Sequence, residues 1–343
     1  MNQLPPFPFR ATLLALSLSW IIAGASPVFS QTIGNSDGGW AMQGTDPIEI
    51  SYGGKLVTTY NAGVDAGKPY FYPLIGPTGE NMTRHWPMED GHDEEEKDHI
   101  HHRGLWYGLG NVNGLDFWHS PLDPSKKDHT FGMIQHQGMN GVTMSQDGLT
   151  FKVKSAWLAY DDPDKKVMSD AREFRLFFRE DGALVIDLTL SLVADAGDVI
   201  IKDDKEGAWS IRTLPTLRLE GPVAKGSSVN SEGVTGKDVW GKRATWVDFS
   251  GPDRAGRPVG IAILDHPKNL RHPTWWHARH YGLVTANPFG QGNFEKASGA
   301  AADAGNYTIK NGETLTFKYR TIFHHGDAAA AKIADAAEAF GKE

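Results

Sequence analysis

An all-β fold, a large two-sheet β-sandwich with a short C-terminal helix, is predicted by three observations. Short runs in which apolar and polar residues alternate recur along the chain, Gly/Pro-rich turns separate them, and only one stretch has helical spacing. The 343 residues are enough for a sizeable core.

Residues 1–30 read as a secretory signal. Arg10 is their only charge, 11–25 are almost wholly apolar, and Val28 and Ser30 stand before a cleavage point near Gln31. The expectation is a periplasmic or secreted protein with one domain over 31–343. A hairpin is predicted at 47–59, where Ile48 to Tyr52 and Lys55 to Thr59 flank Gly53-Gly54. Tyr70 to Ile75 reads as a strand, then Gly76-Pro77-Thr78-Gly79 as a turn. The loop Asn81 to Asp98 carries Asp93-Glu94-Glu95-Glu96, a solvated run, a lid, or a site for a hard cation. Further strands are expected at Phe131 to Gln137, Leu149 to Tyr160 and Arg172 to Arg179. The clearest alternation is at 183–193, with Leu184, Ile186, Leu188, Leu190 and Leu192 on one face. Thr245 to Phe249, Val259 to Leu264 and the run from Leu315 to Phe323 complete the strands, and Asp327 to Phe340 is the helix.

Composition narrows the function. There is no cysteine, which excludes disulfides, thiolate catalysis and cysteine-ligated metals. A net charge of −8 makes nucleic acid and anionic membranes poor partners. The signal's apolar run is short for a membrane span, and none follows. No phosphate-binding glycine loop or nucleophile elbow is present.

Chemistry concentrates in two places. Eight of the 14 histidines fall between His85 and His136, six between His266 and His325, and none between those groups. The first group includes His99-Ile100-His101-His102-Arg103, followed by a strand-like stretch in which Gly104, Trp106, Gly108 and Gly110 share one face. Glycine inside a strand marks a close approach of ligand or backbone. Asp116-Phe117-Trp118 ends the stretch. The second group holds His266, His272, Trp275, Trp276, His277, His280 and Tyr281, with Asn287 beyond. Aromatic rings beside cations and polar side chains suit a sugar, whose ring has apolar faces and hydroxyl edges. Between the groups, Lys205-Glu206-Gly207 and Trp240-Gly241-Lys242-Arg243 add charges next to Gly and Trp. His99 and His101 would share a strand face, but no His-Glu-x-x-His pattern accompanies them, and no metal or cofactor is expected.

The motifs His101-His102-Arg103-Gly104-Leu105-Trp106, Lys205-Glu206-Gly207, Trp240-Gly241-Lys242-Arg243, Asp265-His266-Pro267, His272-Pro273-Thr274-Trp275-Trp276-His277 and Ala286-Asn287-Pro288-Phe289-Gly290 occur in this order. Together they resemble a bacterial family labelled PmoA-like, or methane oxygenase PmoA, from about Ile48 to the C-terminus. The resemblance implies a galactose-mutarotase-like supersandwich. The membrane copper chemistry in the label does not suit a chain without a membrane span.

The expectation is an exported enzyme acting on an oligosaccharide or modified sugar by acid–base chemistry, as hydrolase, lyase or epimerase. His101, His102 or His272 would move a proton, Glu206 would be the partner carboxylate, and Arg103 and Arg243 would meet negative charge. Trp106, Trp118 and Trp276 would stack on the sugar, with Lys205, His266, His277 and Asn287 as further contacts. The alternatives are a non-catalytic sugar-binding protein and a metal-dependent oxidase.

Overall fold

The computed structural model describes residues 33–34 and 38–343, so the signal-like segment lies outside the described residues. Two antiparallel sheets face each other. The larger has ten strands in the spatial order Ile33–Gly34, Trp40–Gln43, Ile48–Tyr52, Lys55–Asn61, Tyr70–Leu74, Leu105–Leu109, Gly207–Arg212, Leu283–Asn287, Thr274–Trp276 and Arg243–Ala244. The smaller has eight, ordered Ser227–Asn230, Trp246–Pro252, Pro258–Asp265, Thr314–His325, Leu184–Val193, Lys166–Phe178, Gly148–Ala159 and Gly132–Ser145. The expected two-sheet sandwich with a short C-terminal helix is therefore the architecture of the chain. Among the described residues no helix is long and apolar enough to cross a membrane.

Alternation creates the core. Leu184, Ile186, Leu188, Leu190 and Leu192 point inward and are buried, as the sequence pattern requires. They meet inward residues of the larger sheet, and Trp209 Nε1 donates across the gap to Thr321 Oγ1 at 3.0 Å. The outer face of the smaller sheet is covered by the helix Ile333–Phe340, which packs on Val185, Ala262, Leu264 and Ile322. The helix starts six residues later than predicted. Residues 327–332 form turns, and Lys332 has a left-handed φ of 51°.

Other departures have physical causes. The strand Gly132–Ser145 outruns its expected end at Gln137 because it continues through polar and glycine residues along a sheet edge, with bulges after His136 and Asn140. Gly207–Arg212, Thr274–Trp276 and Leu283–Asn287 are buried on both faces, so they show no alternation to read. These three strands, with Leu105–Leu109, carry the site.

Candidate functional site

The outer face of the larger sheet supplies the floor. On Leu105–Leu109, Leu105, Tyr107 and Leu109 enter the core, and Trp106 and Gly108 face out. The register pairs Trp106 with Ser210, and Arg212 with Leu283, which places Ser210, Arg212, Leu283 and Thr285 on the same face. Thr285 Oγ1 donates to Ser210 Oγ at 3.0 Å. The glycines open no gap for a ligand, contrary to one reading of the sequence. A Cβ at Gly108 would stand 2.8 Å from the Phe117 carbonyl and 3.3 Å from the Lys68 stem, and one at Gly104 would overlap the Phe71 carbonyl. The protein itself fills these places.

Above the floor, the loop after the strand presents Asp116 and His119. Both oxygens of the Asp116 carboxylate are engaged. Oδ1 accepts the Trp118 and His119 amides at 2.8 and 3.0 Å, and Oδ2 accepts His119 Nδ1 at 2.8 Å and His129 Nδ1. Burial pushes the Asp116 carboxyl up, but the His119 hydrogen bond and charge outweigh it and bring it down to about 2. An ionised Asp116 fixes the protons of both imidazoles on Nδ1. The Nε2 lone pair of His119 is thereby freed to take or return a proton. Asp116 ends the glycine-bearing stretch singled out in the sequence, whereas His119 does not stand out there; its i,i+3 spacing from Asp116 is the signal for it.

Facing this dyad is Glu206, which precedes Gly207–Arg212. Lys205 pairs with its Oε1, and His277 Nδ1 lies 3.7 Å from its Oε2. Burial raises the Glu206 carboxyl, yet His277, Lys205 and His119 together hold it below the ordinary value, so it is an anion at neutral pH. Burial pushes His277 down to about 4, leaving it neutral. Asn287 grips this turn from below, donating to the carbonyls of Asp204 and Lys205 at 2.9 and 3.0 Å. Its role is to position Glu206, in place of the substrate contact expected. Asp204, also unforeseen, accepts the Glu206 amide, and burial raises its carboxyl.

His101 and His102 form a wall between floor and dyad, in the turn before the strand. The His101 ring lies 4.5 Å from that of His119, centroid to centroid. Burial drives His101 well below the ordinary histidine value, and His119 and Lys68 add to the effect. His102 stacks on Trp106 at 5.2 Å. Arg212 Nη1 lies 3.0 Å from His102 Nδ1. Arginine only donates, so Nδ1 accepts and the imidazole proton sits on Nε2. That Nε2 and the indole nitrogens of Trp106 and Trp118 are buried with no partner among the described residues. Tyr281, from the second histidine group, lies against Arg212 at 4.5 Å and His99 at 5.2 Å.

The two histidine groups thus meet through His99, His101, His102, His119 and His129 on one side and His277 with Tyr281 on the other. The remaining expectations need correction. Trp276 points into the core and donates to the Ala244 carbonyl at 2.9 Å, so it cannot stack on a sugar; Trp275 faces out instead. His266 packs on Phe340 of the C-terminal helix, and His272 is tied to the buried Asp265 at 2.8 Å, next to the Thr274 amide. Neither touches the residues described above. Arg243 lies over the Trp275 ring and donates to the Pro273 and Arg271 carbonyls, which ties it to the edge of the sheet. Trp106 and Trp118 are at most 1% exposed and form floor, not a stacking surface. The acidic run is an anchor: Glu95 is buried, accepts the His85 and Trp86 amides and pairs with Arg254. Trp276→Ala should cost about 3–5 kcal/mol of stability by leaving a cavity. Urea unfolding checks this, and a loss below 1 kcal/mol contradicts the core placement.

Two groups have ligand-type atoms within 4.8 Å of one another, Asp116/His119/His129 and His85/Glu89/His92. At the first, the 2.8 Å separation of His119 Nδ1 and Asp116 Oδ2 is a hydrogen bond. At the second, the Arg254 guanidinium is 2.8 Å from His85 Nδ1 and opposes a cation. His99 and His101 share a turn, not a strand face. Metal analysis of protein purified without chelator should return less than stoichiometric zinc, copper or iron; one equivalent lost with His129→Ala would contradict this reading.

Lys68 lies under this loop, its Nζ donating to the Trp118 carbonyl. Burial pushes the ammonium down to about 7, opposed by Asp116 and reinforced by Arg103. Above that pH the folded chain has released a proton that the unfolded chain keeps until its own lysine titrates. Stability should therefore rise from pH 7 towards 10, with a slope approaching about 1.4 kcal/mol per pH unit. Unfolding of wild type and Lys68→Met at pH 7 and 9 tests this. Equal pH dependence in the two proteins contradicts it.

Residues 47–338 match the model of a family of unknown function, DUF6807. This match overturns the resemblance to the PmoA-like family. Several motifs that carried that resemblance are framework here, including Asp265-His266-Pro267 and the run from His272 to Trp276. A search of curated proteins gave no match. Among solved structures, the chain is similar to a 4-alpha-glucanotransferase from Thermococcus litoralis, with 11% identity and a TM-score of 0.32 over 86% of this chain and 39% of that one. It is similar to an alpha-galactosidase from Lactobacillus brevis, with 8% identity and a TM-score of 0.33 over 84% and 38%. It is also similar to a GalM/aldose epimerase homologue from C. elegans, with 10% identity and a TM-score of 0.30 over 84% and 97%. The chain spans about two fifths of the length of the first two proteins.

Proposed function

The chain belongs to the family of unknown function DUF6807, and we propose that it is an exported enzyme that moves protons on a sugar substrate. One observation carries the reading. Asp116 holds His119 with its Nε2 free, beside a Glu206 that its own neighbours keep ionised. A carboxylate-oriented imidazole and a charged carboxylate, both partly exposed, are the parts that general acid–base chemistry needs. His119 serves as proton carrier, Asp116 as its orienting anion, and Glu206 as the second carboxylate. His101 and Tyr281 bound the space. The aromatic and hydrogen-bonding side chains around it suit a sugar. Export is supported by the signal-like pattern of residues 1–30.

The test is a glycan panel incubated with the purified protein and read by mass spectrometry. Turnover by wild type that falls at least about 100-fold in Glu206→Gln supports the proposal. Binding without product over days would make the protein a sugar-binding module instead. Turnover undiminished by Glu206→Gln would remove Glu206 from the chemistry.

A further inference from the structure

Three carboxylates of the site already have cationic or imidazole partners. Asp98 pairs with Arg84 and Arg212, Asp116 with two histidines, and Glu206 with Lys205 and His277. Two guanidiniums are left over among the described residues. Arg103 Nε meets only the Ile100 carbonyl, at 3.4 Å. Arg279 has a buried Nε without a partner among the described residues. The two guanidiniums flank one aromatic patch. Arg103 lies over Tyr70 at 5.7 Å and Arg279 over Tyr281 at 5.7 Å, and both tyrosines pack on Trp106, Trp118 and Leu283. Beneath them are three buried donors with no acceptor, Trp106 Nε1, Trp118 Nε1 and His102 Nε2. The patch therefore holds two guanidiniums with no carboxylate partner among the described residues, above N–H groups that can only donate.

Resting on the acid–base reading above, we infer that the substrate is an acidic sugar, its carboxylates met by the guanidiniums of Arg103 and Arg279 beside the Trp106/Trp118 floor. A neutral sugar would leave both guanidiniums without a charged acceptor. A carboxylate only accepts, and guanidinium is the group that matches it best. The anionic form is also drawn to the face by charge, so binding weakens with salt.

Paired probes test this. Oligomers of polygalacturonate, alginate, hyaluronan and heparosan are each compared with their carboxyl-reduced forms by calorimetry and product analysis, at low and high salt. The expected result is that at least one acidic oligomer binds tenfold or more tighter than its reduced partner. Arg103→Gln or Arg279→Gln should erase that difference, and Arg103→Lys should restore part of it. Melting curves with and without oligomer show that each variant is folded. Equal handling of acidic and reduced forms, binding of neutral glycans alone, or no binding in either arm overturns the inference. The outcomes separate the two claims. Carboxylate-dependent binding without product defeats the catalytic reading alone, and turnover of neutral glycans that depends on Glu206 defeats the acidic-sugar inference alone.

Discussion

Replacing His119 by Gln should lower kcat/KM on any substrate of this protein by about 10²–10⁴-fold, the usual contribution of a positioned proton-transfer group. Glutamine keeps a donor near Asp116 but has no lone pair that can take a proton at neutral pH. Its effect therefore falls on the chemical step and leaves substrate binding largely intact. Asp116→Asn should also be severe. Asp116 Oδ2 now receives Nδ1 protons from both His119 and His129, and an amide cannot accept them equally. The imidazole is then free to turn or change tautomer, and the fall should appear in kcat more than in KM. Steady-state kinetics on both variants check this. Either one retaining wild-type kcat would show that His119 is not the proton carrier.

Asp170→Ala should destabilise the fold by about 3–5 kcal/mol, because it leaves a buried cation without its partner. Asp170 and Arg172 face each other inside the sandwich at 2.6 Å, at most 2% exposed, and Asp170 also accepts Trp157 Nε1 at 2.7 Å. Removing the carboxylate strands the guanidinium and an indole donor together. Chemical denaturation of the variant checks this, and a loss under about 1 kcal/mol would mean that water reaches Arg172 and solvates it.

The same pair explains what the sequence concealed. Lys166–Phe178 is expected from the sequence to begin only at Arg172, because polar Asp170 and Arg172 interrupt the inward positions between Met168 and Phe174. Where inward residues are uniformly apolar, as at 184–193, the strand was legible almost to the residue. The site was legible in part for a related reason. Histidine clustering pointed to His101, His102 and His277, and Gly-flanked charge pointed to Lys205 and Glu206. Which face a tryptophan takes depends on one residue of register, so Trp276 and Trp275 could not be told apart by composition. His266 and His272 look like their functional neighbours in sequence. They differ because Asp265, seven residues away, holds the His272 ring, and Phe340 of the terminal helix, far along the chain, covers that of His266. His119 was missed because its meaning comes from Asp116 and from the fold that sets Glu206 opposite.

A crystal structure with a bound oligosaccharide tests the central claim most directly. The sugar should lie on the outer face of the ten-stranded sheet, within hydrogen-bond reach of His119 Nε2 and Glu206. A second place is available on the molecule, a groove of about 800 Å³ lined by Leu219, Val229, Trp246 and Ala328 beside the C-terminal segment. A sugar seated there, with the His119 face unoccupied, would contradict the account.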